Sequence, residues 1–173
     1  IKGTGLLTFS HKVGEDDQWL NLPALKRVKR IASKNKSGPF VGSEFAFEDL
    51  SGQEVEKYTY RYLRNEVIDD QDCFVVERYP VDKNSGYTRQ ITWIESTHYR
   101  TLKVDDYDRK DSLLKTLTFH HYNLYQEKFW RANSMLMVNH VNHKSTELVW
   151  ADYRFATGLK EDDFTKNSLQ RAR

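Results

Sequence analysis

Apolar and polar side chains alternate with a period of two along most of this chain, the mark of strands that turn one face inward and the other toward water. The alternation is plain at residues 55–64, where Tyr58, Tyr60 and Tyr62 share one face and Thr59, Arg61 and Leu63 the other. It recurs at 87–95, with Ile91 and Trp93 on one face. The same reading predicts strands at 3–9, 19–22, 25–31, 73–79, 101–107, 113–122, 134–141 and 145–155. Turn residues separate them: the polar run 10–16, Asp69-Asp70, the stretch 82–86 after Pro80, and the charged run 108–111. Pro23 lacks a ladder donor and marks an edge or a break. Residues 33–43, rich in Lys, Ser and Gly, read as a loop, and 44–50 as a short helical turn. Residues 162–169 read as a short helix capped by Asp162 or Asp163. Runs at such regular spacing indicate an antiparallel sheet, sandwich or barrel. The late strands are long enough to bend around something, and a bent sheet with an apolar concave face needs helices or a ligand over it.

The length of 173 residues fits a single domain with a substantial core. Aromatic residues make up 13% of the chain, Tyr leading with 10, which favours strands and apolar binding surfaces over helices. A net charge of +2 is not that of a nucleic-acid binder. Cys73 is the single cysteine and sits in the apolar run 73–76, where it reads as a small buried hydrophobe. The longest uncharged run, 132–143, is shorter than the ~20 apolar residues that span a bilayer. The chain opens at Ile1 with no leader pattern and reads as a processed form or a trimmed piece of a longer chain.

Candidate chemistry is sparse. Lys26, Arg27, Lys29, Arg30, Lys34 and Lys36 form a basic run. It suits an anionic headgroup, membrane surface or acidic protein, and equally a solvated strand edge whose lysines block edge-to-edge pairing. Phe40, Val41, Phe45 and Phe47 flank a loop containing Gly38 and Gly42. They read either as a lid over an apolar pocket or as a loop anchored by its rings. Met135, Leu136, Met137 and Val138 read as a strand buried on both faces, and Met also suits a pocket for flexible chains. His120 and His121 point to opposite faces of a strand, and His140 and His143 also diverge, so no metal site is expected. The pairs Asp16-Asp17, Asp69-Asp70, Asp105-Asp106 and Asp162-Asp163 fall mostly at turns and caps. No nucleophile elbow, P-loop or dinucleotide fingerprint is present, so neither an enzyme nor a cofactor is expected.

The phrases Asp17-Gln18-Trp19-Leu20-Asn21-Leu22-Pro23, Lys26-Arg27-Val28-Lys29-Arg30-Ile31 and Phe40-Val41-Gly42-Ser43-Glu44-Phe45 closely resemble the outer-membrane lipoprotein-sorting family, the LolA/LolB-like periplasmic carriers. Tyr58-Thr59-Tyr60, Cys73-Phe74-Val75-Val76-Glu77, Ser85-Gly86-Tyr87 and Leu114-Lys115-Thr116 extend the resemblance over nearly the whole chain. The resemblance implies a mainly β fold: an incompletely closed antiparallel β-barrel, or strongly curved sheet, with a few short helices over its concave face. It implies one LolA-like domain spanning 1–173, with the family's N-terminal portion missing. It also implies acyl chains of lipoproteins or lipids as cargo, no cofactor, a periplasmic location at or near the outer membrane, and a membrane transporter or exporter as a partner. Trp19, Phe45, Tyr60, Trp93, Phe119, Met137 and Trp150 are the candidates to line the apolar cavity. Lys26, Arg27, Lys29 and Arg30 are the candidates for an anionic partner or headgroup. The rival expectation is a protein-interaction module that docks an acidic partner or exporter through the basic strand 26–30 and carries nothing.

Overall fold

The computed structural model describes residues 3–23 and 27–171. Its strands form two antiparallel sheets. In the small one, β1 (Gly5–Phe9), β2 (Asp17–Leu22) and β3 (Arg27–Ile31) lie in the order β1-β2-β3. The large one is a meander of β4 (Tyr58–Ile68), β5 (Gln71–Pro80), β6 (Arg89–Glu95), β7 (Thr101–Tyr107), β8 (Leu113–Tyr125), β9 (Phe129–Asn139) and β10 (Ser145–Val149). Each of these strands pairs with its sequence neighbour, so β4 and β10 are the two edges and the sheet does not close.

The seven-stranded sheet curls. Ile68, at the end of β4, and Tyr122, on β8, line one cavity and pack on one cluster of Cys73, Val75, Trp93 and Leu102. Four inter-strand steps separate β4 from β8, about 19 Å in a flat sheet, too far for side chains to share a cluster without bending. Bulges between Tyr62 and Arg64, Trp93 and Ile94, and Asp106 and Tyr107 raise the local twist that bends it.

Helices contribute differently from expectation. The chain's α-helix among the described residues, α1 (Lys166–Arg171), packs on the small sheet, where Leu169 joins Leu7 and Trp19. Gly5 leaves room for it, because a Cβ there would lie 2.7 Å from Leu169 Cδ1. The expected Asp cap also differs. Asp163 accepts from the Lys160 amide in the 3-10 turn Glu161–Phe164. Thr165 and Ser168 then cap α1 reciprocally, each hydroxyl accepting from the other's amide. The cover of the large sheet is not helical either. It is an irregular segment, residues 36–50, ending in the 3-10 turn Phe47–Leu50.

Candidate functional site

One face of the large sheet presents an apolar patch. The registers Val104↔Leu117↔Met137 and Phe119↔Met135↔Leu148 place these six side chains in two adjacent cross-strand rows on β7 to β10. Segment 36–50 lies over them. It is a hairpin-like loop in which the Phe40 amide donates to Phe45 O at 2.7 Å and Phe47 to Gly38 O at 3.2 Å. Phe45 inserts between Val104, Leu117 and Met137, and both Phe45 and Met137 are fully buried. Phe40 and Leu50 pack at the margin of this group, and Phe40 meets Phe47 edge to face. At the loop's tip Val41 has φ 50°, a left-handed conformation that a β-branched residue adopts only under strain.

Polar contacts fasten the cover around its rim. The Glu44 carboxylate accepts from Asn139 Nδ2 at 2.7 Å and Asn142 Nδ2 at 3.2 Å, while its amide donates to Thr146 Oγ1 at 3.0 Å. Lys115 Nζ donates to Glu44 O at 2.6 Å. Glu48 accepts from Ser85 Oγ at 2.6 Å and the Gly86 amide at 2.8 Å. Asp49 accepts from the Ala46 amide at 2.6 Å and Tyr87 Oη at 2.9 Å. Lys36 pairs with Asp82 at 2.5 Å. From the small sheet, buried Gln18 donates to Phe47 O at 3.0 Å. Gly86 permits the close approach, since a Cβ there would meet Ser37 Cβ at 2.7 Å and Glu48 Oε1 at 3.1 Å.

Two carboxyls at this rim hold their protons more tightly than an ordinary Asp. Burial pushes Asp49 up to about 6, against the pull of the Ala46 amide, Lys115 and Tyr87. Asp106 on β7 is 2% exposed, and burial followed by repulsion from Asp49 pushes it well above the carboxylate range. Its polar contact is Gln90 Nε2 at 2.5 Å. Burial and the Asp49 charge likewise push the Tyr87 phenol up.

The opposite face of the sheet is closed by curvature instead. Glu77 is buried between Arg61 (2.5 Å) and Arg89 (3.3 Å). Glu95 accepts from the amides of Thr97 (2.9 Å) and His98 (2.8 Å) and from Arg100 Nε (2.9 Å). Beside the buried cluster opens a cavity of about 330 Å³, lined on its apolar side by Ile68, Leu102, Phe119 and Tyr122 and otherwise by Asp69, Gln71, Arg100, Lys103, Thr118, His120 and His121. Phe119 therefore touches both this cavity and the covered patch.

The structure brings Phe45, Phe119 and Met137 together under the cover. Trp93 belongs to the cluster next to the cavity, with Lys103 Nζ 4.2 Å above its ring. Trp19 packs in the small sheet with Leu7 and Leu169. Tyr60 stands half exposed on the edge strand β4, and Trp150 follows the end of β10 with its amide bonded to Asn133 O. These last three meet neither the patch nor the cavity. Arg27, Lys29 and Arg30 are exposed on β3, an edge of the small sheet, and Arg30 pairs with Asp17 at 2.5 Å. Lys26 lies outside the described residues. Leu102, Ile68 and Tyr122 were not singled out from sequence. Leu102 has no cross-strand partner at its bulge, where alternation loses its phase. Two of the histidines are engaged by hydroxyls: His120 with Thr118 and His140 with Thr116, each at 2.8 Å.

An open, curled, antiparallel sheet with an apolar face under an irregular cover defines a class of protein, that of the LolA-like sheets. A family model described as an uncharacterized protein matches residues 1–171. A domain from Vibrio parahaemolyticus described as an outer-membrane lipoprotein-sorting protein is 61% identical. It superposes with a TM-score of 0.95 over 98% of this chain and 72% of that one. A DUF1329 family protein from Desulfovibrio piger is 30% identical, with a TM-score of 0.90 over 96% of this chain and 71% of that one. A LolA-superfamily protein from Nitrosomonas europaea, 24% identical, shares the fold with a TM-score of 0.67 over 88% of this chain and 67% of that one. No curated protein matches the chain. The chain belongs to the outer-membrane lipoprotein-sorting family.

Proposed function

We propose that this protein is a non-enzymatic periplasmic carrier that shields acyl chains of a lipid or lipoprotein on their way to the outer membrane. The observation that carries the reading is the apolar patch of Val104, Leu117, Phe119, Met135, Met137 and Leu148, closed by a loop rather than by a helix or second sheet. Phe45 fills the place where an acyl chain would lie. Displacing Phe45 exchanges one apolar occupant for another, so most of the burial free energy is conserved while cargo enters.

The magnitudes suit transfer rather than storage. Burying one methylene contributes ~0.8 kcal/mol, so a 16-carbon chain gains roughly 12 kcal/mol gross over water. Leaving a bilayer forfeits a similar amount, so a carrier must match the membrane rather than outbid it. The cavity of about 330 Å³ lies at the small end of ligand pockets. It serves in this reading as an entry for one chain, with Phe119 handing that chain on to the patch under the cover. Among the described residues no helix is long and apolar enough to cross a membrane.

A fluorescent fatty acid displaced by palmitate tests the site. Wild-type protein should capture it, and Phe119→Glu should weaken capture at least tenfold while far-UV circular dichroism stays unchanged. Undiminished capture by the variant counts against the site, and no capture by wild type counts against carriage.

The edge strand β3 favours a second reading, docking of an acidic partner such as a membrane transporter or exporter through Arg27, Lys29 and Arg30. Such docking weakens steeply with salt, whereas acyl capture does not.

A further inference from the structure

The cover's fastening sets a half-buried acid, Asp49, near a buried one, Asp106 of β7. Asp49 on the cover faces Tyr87 from the 82–88 connection, Asp106 on β7, Lys115 on β8 and its own neighbour Glu48; Arg78 on β5 and Tyr58 on β4 complete the charged surround. The register Arg78↔Gln90↔Asp106↔Lys115↔Asn139 runs as one polar row across five strands, ending beneath Glu44. Among the described residues neither Arg78 nor Lys115 forms an ion pair with Asp106 or Asp49. Lys115 is occupied by Glu44 O, and Arg78 lies 4.4 Å over the Tyr58 ring. Of the two carboxyls, Asp49 is on the cover and half-buried, and Asp106 is on the sheet and 2% exposed.

We propose that the Asp49–Tyr87–Asp106 group is a proton-dependent latch, so that the cover over the acyl site closes with a proton bound and loosens when that proton leaves. The inference rests on the reading of segment 36–50 as the cover of the cargo site and adds its regulation. A carboxyl that binds its proton more tightly in the closed state favours closure at low pH. As pH rises past the ordinary Asp value of 3.8, the open state has already lost its proton while the closed state keeps it to about 6. Across that window the opening constant rises up to ~10-fold per pH unit, roughly 100-fold in all from Asp49. Asp106, more deeply buried, carries the effect to higher pH. The carrier would thus grip its cargo in acid surroundings and release it more readily toward neutral and alkaline pH.

Hydrogen exchange of the amides at residues 38–48 in lipid-free protein, from pH 4 to 8 and corrected for intrinsic exchange, reads the latch directly. Amides of β5 and β6 in the same sample report global opening. Wild type should show cover opening that rises with pH while β5 and β6 stay flat. Asp106→Asn, which mimics the protonated acid and keeps the Gln90 contact, should flatten the slope and give stronger protection than wild type at pH 8. Asp49→Asn should do the same and serves where the first variant folds poorly. A pH-independent opening constant in wild type overturns the proposal, as does an unaltered slope in both variants. No cargo is used, so a flat exchange profile leaves acyl capture standing, and failed capture leaves the latch standing.

Discussion

Phe45→Ala separates a packed side chain from a plug that cargo replaces. Phe45 is fully buried against Val104, Leu117 and Met137. Truncating such a ring costs about 3–5 kcal/mol. In a chain of 173 residues each kcal/mol moves Tm by ~2–4 °C, so a fall of roughly 6–20 °C is expected. If the vacated space is where an acyl chain lies, the variant should bind palmitate more tightly than wild type, because the ligand no longer displaces a ring. Even three methylenes housed there would add ~2.4 kcal/mol, roughly 50-fold in affinity. Differential scanning fluorimetry across a palmitate series reads both effects. The variant should melt lower without ligand and gain more from it, with ~2.7 kcal/mol recovered at 100 times Kd. A variant that melts lower but gains no more from palmitate than wild type would refute the plug. A variant that melts unchanged would refute the packing as well.

Further outcomes follow from the same contacts. Val41→Gly removes the penalty of a β-branched residue at φ 50° and should raise Tm slightly, by about 1 kcal/mol of stability net of glycine's entropy; a fall in Tm would contradict the strain. Gly86→Ala should push Glu48 off the 85–86 amide and hydroxyl and raise hydrogen exchange across 38–48 selectively. For Glu95, burial opposes the charge, but hydrogen bonds from Arg100 and the 97–100 amides outweigh it and hold the carboxyl low. Its contribution is therefore present above the ordinary Glu value of 4.5 and lost as pH falls. Glu95→Gln should cost about 3 kcal/mol at pH 7 and show a shallower acid loss than wild type in urea melts at pH 3–7. Reversing Arg27 and Lys29 to Glu should leave Tm within ~0.5 kcal/mol of wild type, since both are exposed on an edge, while lowering any salt-sensitive binding to anionic liposomes.

Much of the architecture was legible because alternation is a strong signal wherever one face is buried. β7 was read to the residue at 101–107, and β1, β2, β5 and β6 to within a few residues at their ends. The reading of 145–155 as one strand ran too long. Pairing with β9 ends at Val149↔Ser134, after which Phe155 stacks on the Phe129 ring and Tyr153 meets the Tyr125 ring at a tilt, both rings belonging to the β8–β9 hairpin. Aromatic stacking and cross-strand pairing call for the same residues, so period two cannot tell them apart. The site was legible in part for a similar reason. Apolar rings around a Gly-containing loop read equally as a lid or as an anchored loop, and the fold packs Phe45 of that loop with Phe119 and Met137. Alternation gives parity but not which face a distant segment covers, so Trp19, Tyr60 and Trp150 went to the same expected cavity as Trp93 although the fold sends them elsewhere. The acid pair Asp49–Asp106 was invisible for another reason, since only folding brings residues so far apart in sequence under one cover. Asp105-Asp106 looks like an ordinary polar pair until the sheet buries both members, Asp105 bonded to Thr116 Oγ1 and Asp106 to Gln90 Nε2.

Native mass spectrometry of the gently purified protein, with extraction and identification of whatever it carries, tests carriage most directly. Carriage predicts an adduct bearing acyl chains at a defined stoichiometry, retained less by Phe119→Glu than by wild type. A bare mass, both as purified and after incubation with fatty acids and phospholipids, would contradict it and leave docking through β3 as the reading to pursue.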